Sequence, residues 1–91
     1  MDEPIGDFVI TEHASLAMRR RAISPAVLRS VLEAPDQRTP VRPGRDMVQS
    51  LIEQDGQRYL VRVFVDVDQA PAEIVTVYRT TRISKYWRSE P

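Results

Sequence analysis

Apolar residues recur along the chain with two different periods. Between residues 12 and 33 they fall at the three- and four-residue spacing of an amphipathic helix, as in Val27, Val31 and Leu32. Between residues 58 and 67 they alternate, which places four valines on one face of an extended segment. The pattern therefore predicts helices in the first part of the chain and strands in the second.

Capping signals set the predicted boundaries of two helices. Thr11 can cap a helix over residues 12–21, and Ser24 followed by Pro25 is typical of the start of a second helix over residues 25–33. Glu12 in the first turn and the arginines of the last turn complement the dipole of the first helix. A short strand over residues 7–10 is predicted to precede it.

The remaining sequence predicts a three-stranded antiparallel meander. Its strands cover residues 47–53, 58–67 and 73–80, and Asp55-Gly56 is typical of a two-residue hairpin. In the last strand, alternation places Val75 and Val77 on one face and Ile74 on the other. Residues 34–46, rich in proline and arginine, are predicted to be a loop, and residues 1–6 and 89–91 are predicted to be disordered.

Together these elements predict a single α+β domain over residues 1–91, with a short N-terminal strand and two helices on one face of a small antiparallel sheet. The valine face is expected to meet the helices. Two short helices cover only one face, so the face that carries Arg62, Phe64 and Tyr78 is predicted to be partly open. Arginine beside aromatic rings suits RNA or a protein partner.

The distribution of charge adds to this picture. Lys and Arg total 13, as do Asp and Glu, so the net charge of zero does not by itself indicate a nucleic-acid-binding protein. Residues 19–45, however, carry seven arginines and two acids, and residues 78–91 carry three arginines and one lysine against one glutamate. If the fold brings these segments together, they form a positive patch.

The absence of cysteine suits a reducing cytoplasm. The acidic start has no signal-peptide pattern and no apolar run reaches the length of a membrane span, so a cytoplasmic protein that does not enter a membrane is expected. No metal or other cofactor is expected either. The acidic pair Asp66 and Asp68 has no histidine near it in sequence, and there is no glycine-rich phosphate loop.

His13, the single histidine, lies in the first turn of the first predicted helix. A neutral imidazole can act as a general base, and the alternative is an ordinary helix-start residue whose ring bonds a nearby backbone group. One histidine cannot supply both acid and base. A nuclease reaction would need a second proton-transfer group.

Cations follow the last predicted strand at intervals of three residues: Arg79, Arg82, Lys85 and Arg88. Guanidinium groups suit the charge of a phosphoryl transition state. The alternative is a solvated basic tail that docks on acidic residues such as Asp66, Asp68 or Glu73. Tyr78, Tyr86 and Trp87 interleave with these cations, either to stack on bases or to seal the edge of the core.

The two ends of the chain carry motifs. ITEHASLAMRRRAIS resembles an opening of the form I-T-x-H-A followed by a basic helix and an Ile-Ser helix start, and TVYRTTRISKYW resembles a closing of the form V-T-V-Y-R-T-S-x-I-x-K-Y. Together they resemble the bacterial family called domain of unknown function 4258, which is similar to the RelE-like toxins of the barnase, EndoU, colicin and RelE fold group. The proline-rich middle matches only in character, and Thr81 stands where the motif has Ser.

The resemblance implies a toxin of a toxin–antitoxin system that cleaves RNA, including ribosome-associated mRNA, and is held inactive by an antitoxin protein. It implies metal-independent attack of a ribose 2′-hydroxyl on the adjacent phosphate. The catalytic residues would be His13, Arg79, Lys85 and Tyr86. The RNA-binding residues would be Tyr78, Arg82, Arg62 and Arg20. The alternative is a non-catalytic protein- or RNA-binding module of the same fold.

Overall fold

The computed structural model describes residues 2–89 and shows an α+β fold built on a five-stranded mixed sheet. The elements in chain order are β1 (Phe8–Ile10), α1 (Glu12–Arg20), α2 (Pro25–Glu33), β2 (Gln37–Arg42), β3 (Arg45–Gln54), β4 (Gln57–Asp66), β5 (Ala72–Thr80) and α3 (Ile83–Tyr86). The strand order is β1-β5-β4-β3-β2. β1 is parallel to β5, and all other neighbours are antiparallel.

Both predicted helix starts are confirmed. The Thr11 side chain accepts a hydrogen bond from the backbone of Ala14, and the Ser24 side chain accepts one from the backbone of Val27. Each bond satisfies a backbone donor that the first helical turn leaves without a partner. α1 ends at Arg20, one residue earlier than predicted, before the chain turns through Ala22 at φ 55°.

The prediction of a three-stranded meander is wrong, because two further strands join the sheet. β1 adds to one edge through the pairing of Val9 with Glu73. At the other edge, residues 34–46 are not a loop: β2 pairs with β3, for example through Thr39 and Met47. Pro40 is compatible with β2 because an edge strand needs ladder bonds on one side only. The proline-rich composition therefore reflects an edge strand followed by a tight turn.

The core lies between the two long helices and one face of the sheet. Its buried residues include Ala14, Met18, Leu28, Val31 and Leu32 from the helices and Val48, Val61, Val63, Val65, Ile74 and Val77 from the sheet. The predicted valine face of β4 thus meets the helices. Burial of this apolar surface is the main favourable contribution to folding.

The predicted orientation of Ile74 is wrong because the ladder between β4 and β5 is irregular. Val63 pairs with Val77, but Val65 pairs with Ile74, so Val75 is an extra residue in β5. A β-bulge of this kind reverses the alternation of the residues beyond it. Ile74 consequently lies in the core with no exposed surface.

Residues 2–6, predicted to be disordered, are anchored to the core through Ile5. Ile5 is buried, and its backbone N–H donates to the carbonyl of Leu32 over 2.9 Å. Asp2 accepts hydrogen bonds from the backbone N–H groups of Glu3 and Arg38, which lower the pKa of its carboxyl. Of the other predicted disordered segment, Glu90 and Pro91 lie outside the described residues. No helix within residues 2–89 is long and apolar enough to cross a membrane.

Candidate functional site

Four polar side chains form a row across the sheet face that is turned away from α1 and α2. Gln37, Gln49, Arg62 and Tyr78 are cross-strand partners on β2, β3, β4 and β5. Nε2 of Gln49 donates to Oε1 of Gln37 over 2.7 Å, and Nε of Arg62 donates to Oε1 of Gln49 over 2.9 Å. Nη1 of Arg62 then donates to the hydroxyl of Tyr78. These four residues, the polar row, are therefore joined by one unbroken chain of hydrogen bonds.

The C-terminal segment, residues 83–89, docks on the polar row through its main chain. Nε2 of Gln49 donates to the carbonyl of Tyr86 over 3.2 Å. The amide of Gln37 both donates to the carbonyl of Arg88 and accepts from its N–H, as a neighbouring strand would. The sheet face that was predicted to be open is thus partly covered, and Leu60 on this face has no exposed surface.

Aromatic rings surround the guanidinium of Arg62. Its Cζ lies 4.3 Å from the ring centroid of Tyr86 and 5.6 Å from those of Phe64 and Tyr78. Phe64 and Tyr78 stack at 6.3 Å, and Nζ of Lys85 lies 5.2 Å from the centroid of Tyr86. We refer to these five residues as the arginine cluster. Contacts of this kind attract a cation to the face of a ring and restrict its movement.

Arg62 has only neutral partners. The three ion pairs within residues 2–89 join Arg38 to Asp46, Arg45 to Asp66 and Arg88 to Asp2. Every buried side-chain nitrogen or oxygen among these residues has a hydrogen-bond partner, whereas Nη2 of Arg62 makes no hydrogen bond. Nη2 therefore retains some solvent-accessible surface. A half-buried guanidinium without a carboxylate is a favourable partner for an incoming anion.

Two further groups of the arginine cluster are available to a ligand. The Tyr78 hydroxyl accepts from Arg62, and no acceptor in the described part of the chain takes its own hydrogen. Lys85 is exposed, and its side chain makes no hydrogen bond or ion pair within residues 2–89. The cluster thus combines a fixed guanidinium, an ammonium and a phenol that can donate.

His13 and Arg20 lie on the other side of the molecule. Both line a cavity of about 90 Å³ on α1, together with Leu16, Ala17 and Arg21. Nη1 of Arg21 donates to the carbonyl of Val77 on β5 over 3.0 Å. His13 is exposed, and its imidazole has no hydrogen-bond partner in the described structure.

Arg79 lies on the helix side of the sheet. It donates to Oε1 of Gln54 over 3.0 Å, and its Cζ lies 4.3 Å from the ring centroid of Tyr59. No hydrogen bond joins it to His13 within residues 2–89. Arg82 is exposed at the start of α3, where its backbone N–H donates to the side chain of Thr80.

The structure therefore separates the predicted site residues into two groups. Arg62, Tyr78, Lys85 and Tyr86 lie together in the arginine cluster, whereas His13, Arg20 and Arg79 lie on the helix side. Arg82, exposed at the start of α3, belongs to neither group. Tyr78 and Arg79 point to opposite faces, as consecutive strand residues do. Within residues 2–89, no ion pair joins the basic tail to Asp66, Asp68 or Glu73, and Arg88 lies 3.8 Å from the carboxylate of Asp2.

Sequence reasoning missed Gln37 and Gln49. Gln37 lies in the segment that was predicted to be a loop, so it was not assigned to a sheet. Gln49 offered a signal, because it alternates with Met47 and Leu51 on one face of β3, where an apolar residue would be expected. A polar residue with no exposed surface must have hydrogen-bond partners.

Within residues 2–89, no three histidine, aspartate or glutamate side chains converge as a metal site would require. Comparisons with models of protein families, with curated proteins and with solved structures found no match to this chain.

Proposed function

We propose that the protein binds single-stranded RNA on the sheet face that carries the arginine cluster and cleaves it there by metal-independent transesterification. The observation that supports this proposal is the state of Arg62. Its guanidinium is fixed by Gln49 and Tyr78, and within residues 2–89 it has no carboxylate partner and no hydrogen bond at Nη2. A guanidinium held in this way suits a phosphodiester, and the neighbouring rings suit bases.

The proposed reaction assigns one role to each polar group of the cluster. Arg62 binds the non-bridging phosphate oxygens and stabilises the charge that develops on them. The 2′ oxygen of the ribose bonds to phosphorus, and its proton passes to the Tyr78 oxygen. The Tyr78 hydroxyl passes its own proton to solvent in the same step. Lys85 protonates the 5′ oxygen as the bond from phosphorus to this oxygen breaks. The products are a 2′,3′-cyclic phosphate and a free 5′-hydroxyl.

The test is cleavage of a labelled single-stranded RNA by purified wild-type protein and by Tyr78→Phe and Lys85→Gln. Loss of one proton-transfer group should slow cleavage about 100-fold or more. Arg29→Gln is the matched control, because Arg29 is exposed on α2, which packs on the opposite face of the sheet, and its side chain makes no hydrogen bond within residues 2–89. It should cleave at the wild-type rate.

A modified substrate separates the acid from the other roles. In RNA with sulfur at the bridging 5′ position the leaving group needs no proton, so this substrate should restore the rate of Lys85→Gln but not that of Tyr78→Phe. Wild-type protein that binds the RNA and leaves it intact would contradict cleavage. The chain would then be the non-catalytic binding module that the sequence also allows.

A further inference from the structure

The cavity on α1 has a composition that the proposed reaction does not use. Three of its five lining side chains carry nitrogen donors, namely His13, Arg20 and Arg21, and none is acidic. The nearest acid in sequence is Glu12, which is exposed and forms no ion pair in the described structure. The cavity therefore offers donors to an anion and contains no internal counterion.

One wall of this cavity is fixed in place. Nη1 of Arg21 is bonded to the carbonyl of Val77, so the position of this guanidinium is set by the sheet and not by the helix alone. The side chains of Arg20 and His13 make no hydrogen bond within residues 2–89, so their nitrogen atoms are available. The volume of about 90 Å³ admits a single small group such as a phosphate.

The cavity and the arginine cluster lie on either side of one open sheet edge. β1 pairs with β5 only as far as Ile74, so no strand within residues 2–89 covers the edge of β5 beyond that residue. Arg21 binds there at Val77, and the next residue, Tyr78, points to the opposite face and into the arginine cluster. A polynucleotide that passes around this edge can contact both surfaces.

We propose that the cavity of His13, Arg20 and Arg21 is a subsite for a backbone phosphate of the RNA, next to the nucleotides that occupy the arginine cluster. This inference rests on the proposed function for the identity of the ligand. Two arginines that present several N–H groups suit the oxygens of a phosphate, and Leu16 in the same wall provides apolar contact for an adjacent sugar or base.

The test uses a fluorescein-labelled single-stranded RNA with 2′-O-methyl riboses, which can bind but cannot be cleaved by the proposed reaction. Its affinity for wild type, Arg20→Gln, Arg20→Lys and Arg29→Gln is measured by fluorescence anisotropy over a series of salt concentrations. Loss of one phosphate contact should lower the slope of log affinity against log salt by about 0.7 and weaken binding about fivefold at 0.1 M salt. Arg20→Gln should show both changes.

Arg20→Lys retains the charge, so it should keep the wild-type salt slope, and Arg29→Gln should match the wild type in both measurements. If Arg20→Gln behaves like Arg29→Gln, the subsite is wrong. The subsite is also wrong if Arg20→Gln binds RNA like the wild type but loses affinity for a glutamate-rich peptide. That result would assign the cavity to an acidic protein partner. Another outcome is that the wild-type protein leaves unmodified RNA intact while Arg20→Gln still weakens RNA binding. That result would contradict the proposed cleavage and support the subsite.

Discussion

Arg62 and Tyr78 face each other across β4 and β5, and the guanidinium donates a hydrogen bond to the phenol oxygen. The bond fixes the hydroxyl as an acceptor towards Arg62 and directs its own hydrogen elsewhere. It also holds a cation on a sheet face where the other neighbours are rings and amides. This one contact therefore contributes to the fold and defines the chemistry available to a ligand.

Removal of the Tyr78 hydroxyl should destabilise the fold. Tyr78→Phe leaves Nη1 of Arg62 without its acceptor, and we expect the free energy of unfolding in urea to fall by about 1 kcal/mol. Tyr59→Phe is the matched control, since the Tyr59 hydroxyl has no hydrogen-bond partner in the described structure while its ring also lies against an arginine. Equal losses in the two variants would show that the hydroxyl bond contributes nothing.

The side-chain amide of Gln49 should contribute strongly to the stability of the fold. Gln49→Leu leaves two groups without a partner, Nε of Arg62 and the carbonyl of Tyr86, and buried polar groups in this state cost about 1–3 kcal/mol each. Oε1 of Gln37 keeps the N–H of Arg88 as a donor. We expect a loss of at least about 2 kcal/mol in urea unfolding. Gln57→Leu, at an exposed position of the hairpin, should change stability by less than about 0.5 kcal/mol. A similarly small change for Gln49→Leu would contradict the importance of the row.

Arg21 should contribute to the attachment of α1 to the sheet. Arg21→Ala removes the bond to the carbonyl of Val77, and we expect the unfolding free energy to fall by about 1 kcal/mol. Hydrogen exchange should become faster for backbone amides near this open edge. Arg19→Ala serves as the control, because the Arg19 side chain is exposed at the same helix end and makes no hydrogen bond in the described structure. The same loss in Arg19→Ala would assign the effect to helix charge and not to the contact.

Acid should weaken the pair of Asp66 and Arg45. Nε of Arg45 donates to Oδ1 of Asp66 over 2.6 Å, and this bond is the main reason that the pKa of the Asp66 carboxyl lies below its ordinary value. Because the pKa is lower in the folded state, the unfolded state binds more protons as the pH falls. The stabilisation is complete above the ordinary aspartate pKa of about 3.9 and is lost as the pH falls through the folded value.

Asp66→Asn should therefore show a flatter dependence of unfolding free energy on pH below about pH 4 than the wild type. Arg45→Gln should flatten it to a similar extent, because it removes the same bond from the other side. Identical slopes for the wild type and both variants would show that the pair does not affect acid stability.

The features that could be predicted from the sequence are those that depend on neighbouring residues. The caps at Thr11 and Ser24 satisfy backbone donors three residues away. The alternation of valines in β4 depends only on which face of that strand meets the core. β2 was missed because its pairing with β3, and not its own composition, makes it a strand. The bulge at Val75 was missed for the same reason, since register is a property of two strands.

The candidate site shows the same limit. Sequence motifs indicated Arg62, Tyr78, Lys85 and Tyr86, because cations and rings are visible as residue types. They did not indicate that His13 lies on the opposite face, nor that Gln37 would bond the main chain of a residue 51 positions away. Hydrogen bonds between distant segments depend on the register of the whole sheet. The residue types in a sequence therefore indicate which chemical groups a site offers, but not which hydrogen bonds those groups make in the fold.

The amide side chains that hold residues 83–89 on the sheet form hydrogen bonds with the main chain of this segment. The amides of Gln37 and Gln49 bind the main chain of Tyr86 and Arg88, which every residue other than proline can provide. The side chain at position 86 is consequently not required to hold the segment in place, although it sets which ring lies over Arg62. A different ring at position 86 would therefore change the surroundings of the Arg62 guanidinium while the main-chain bonds to Gln37 and Gln49 stay in place.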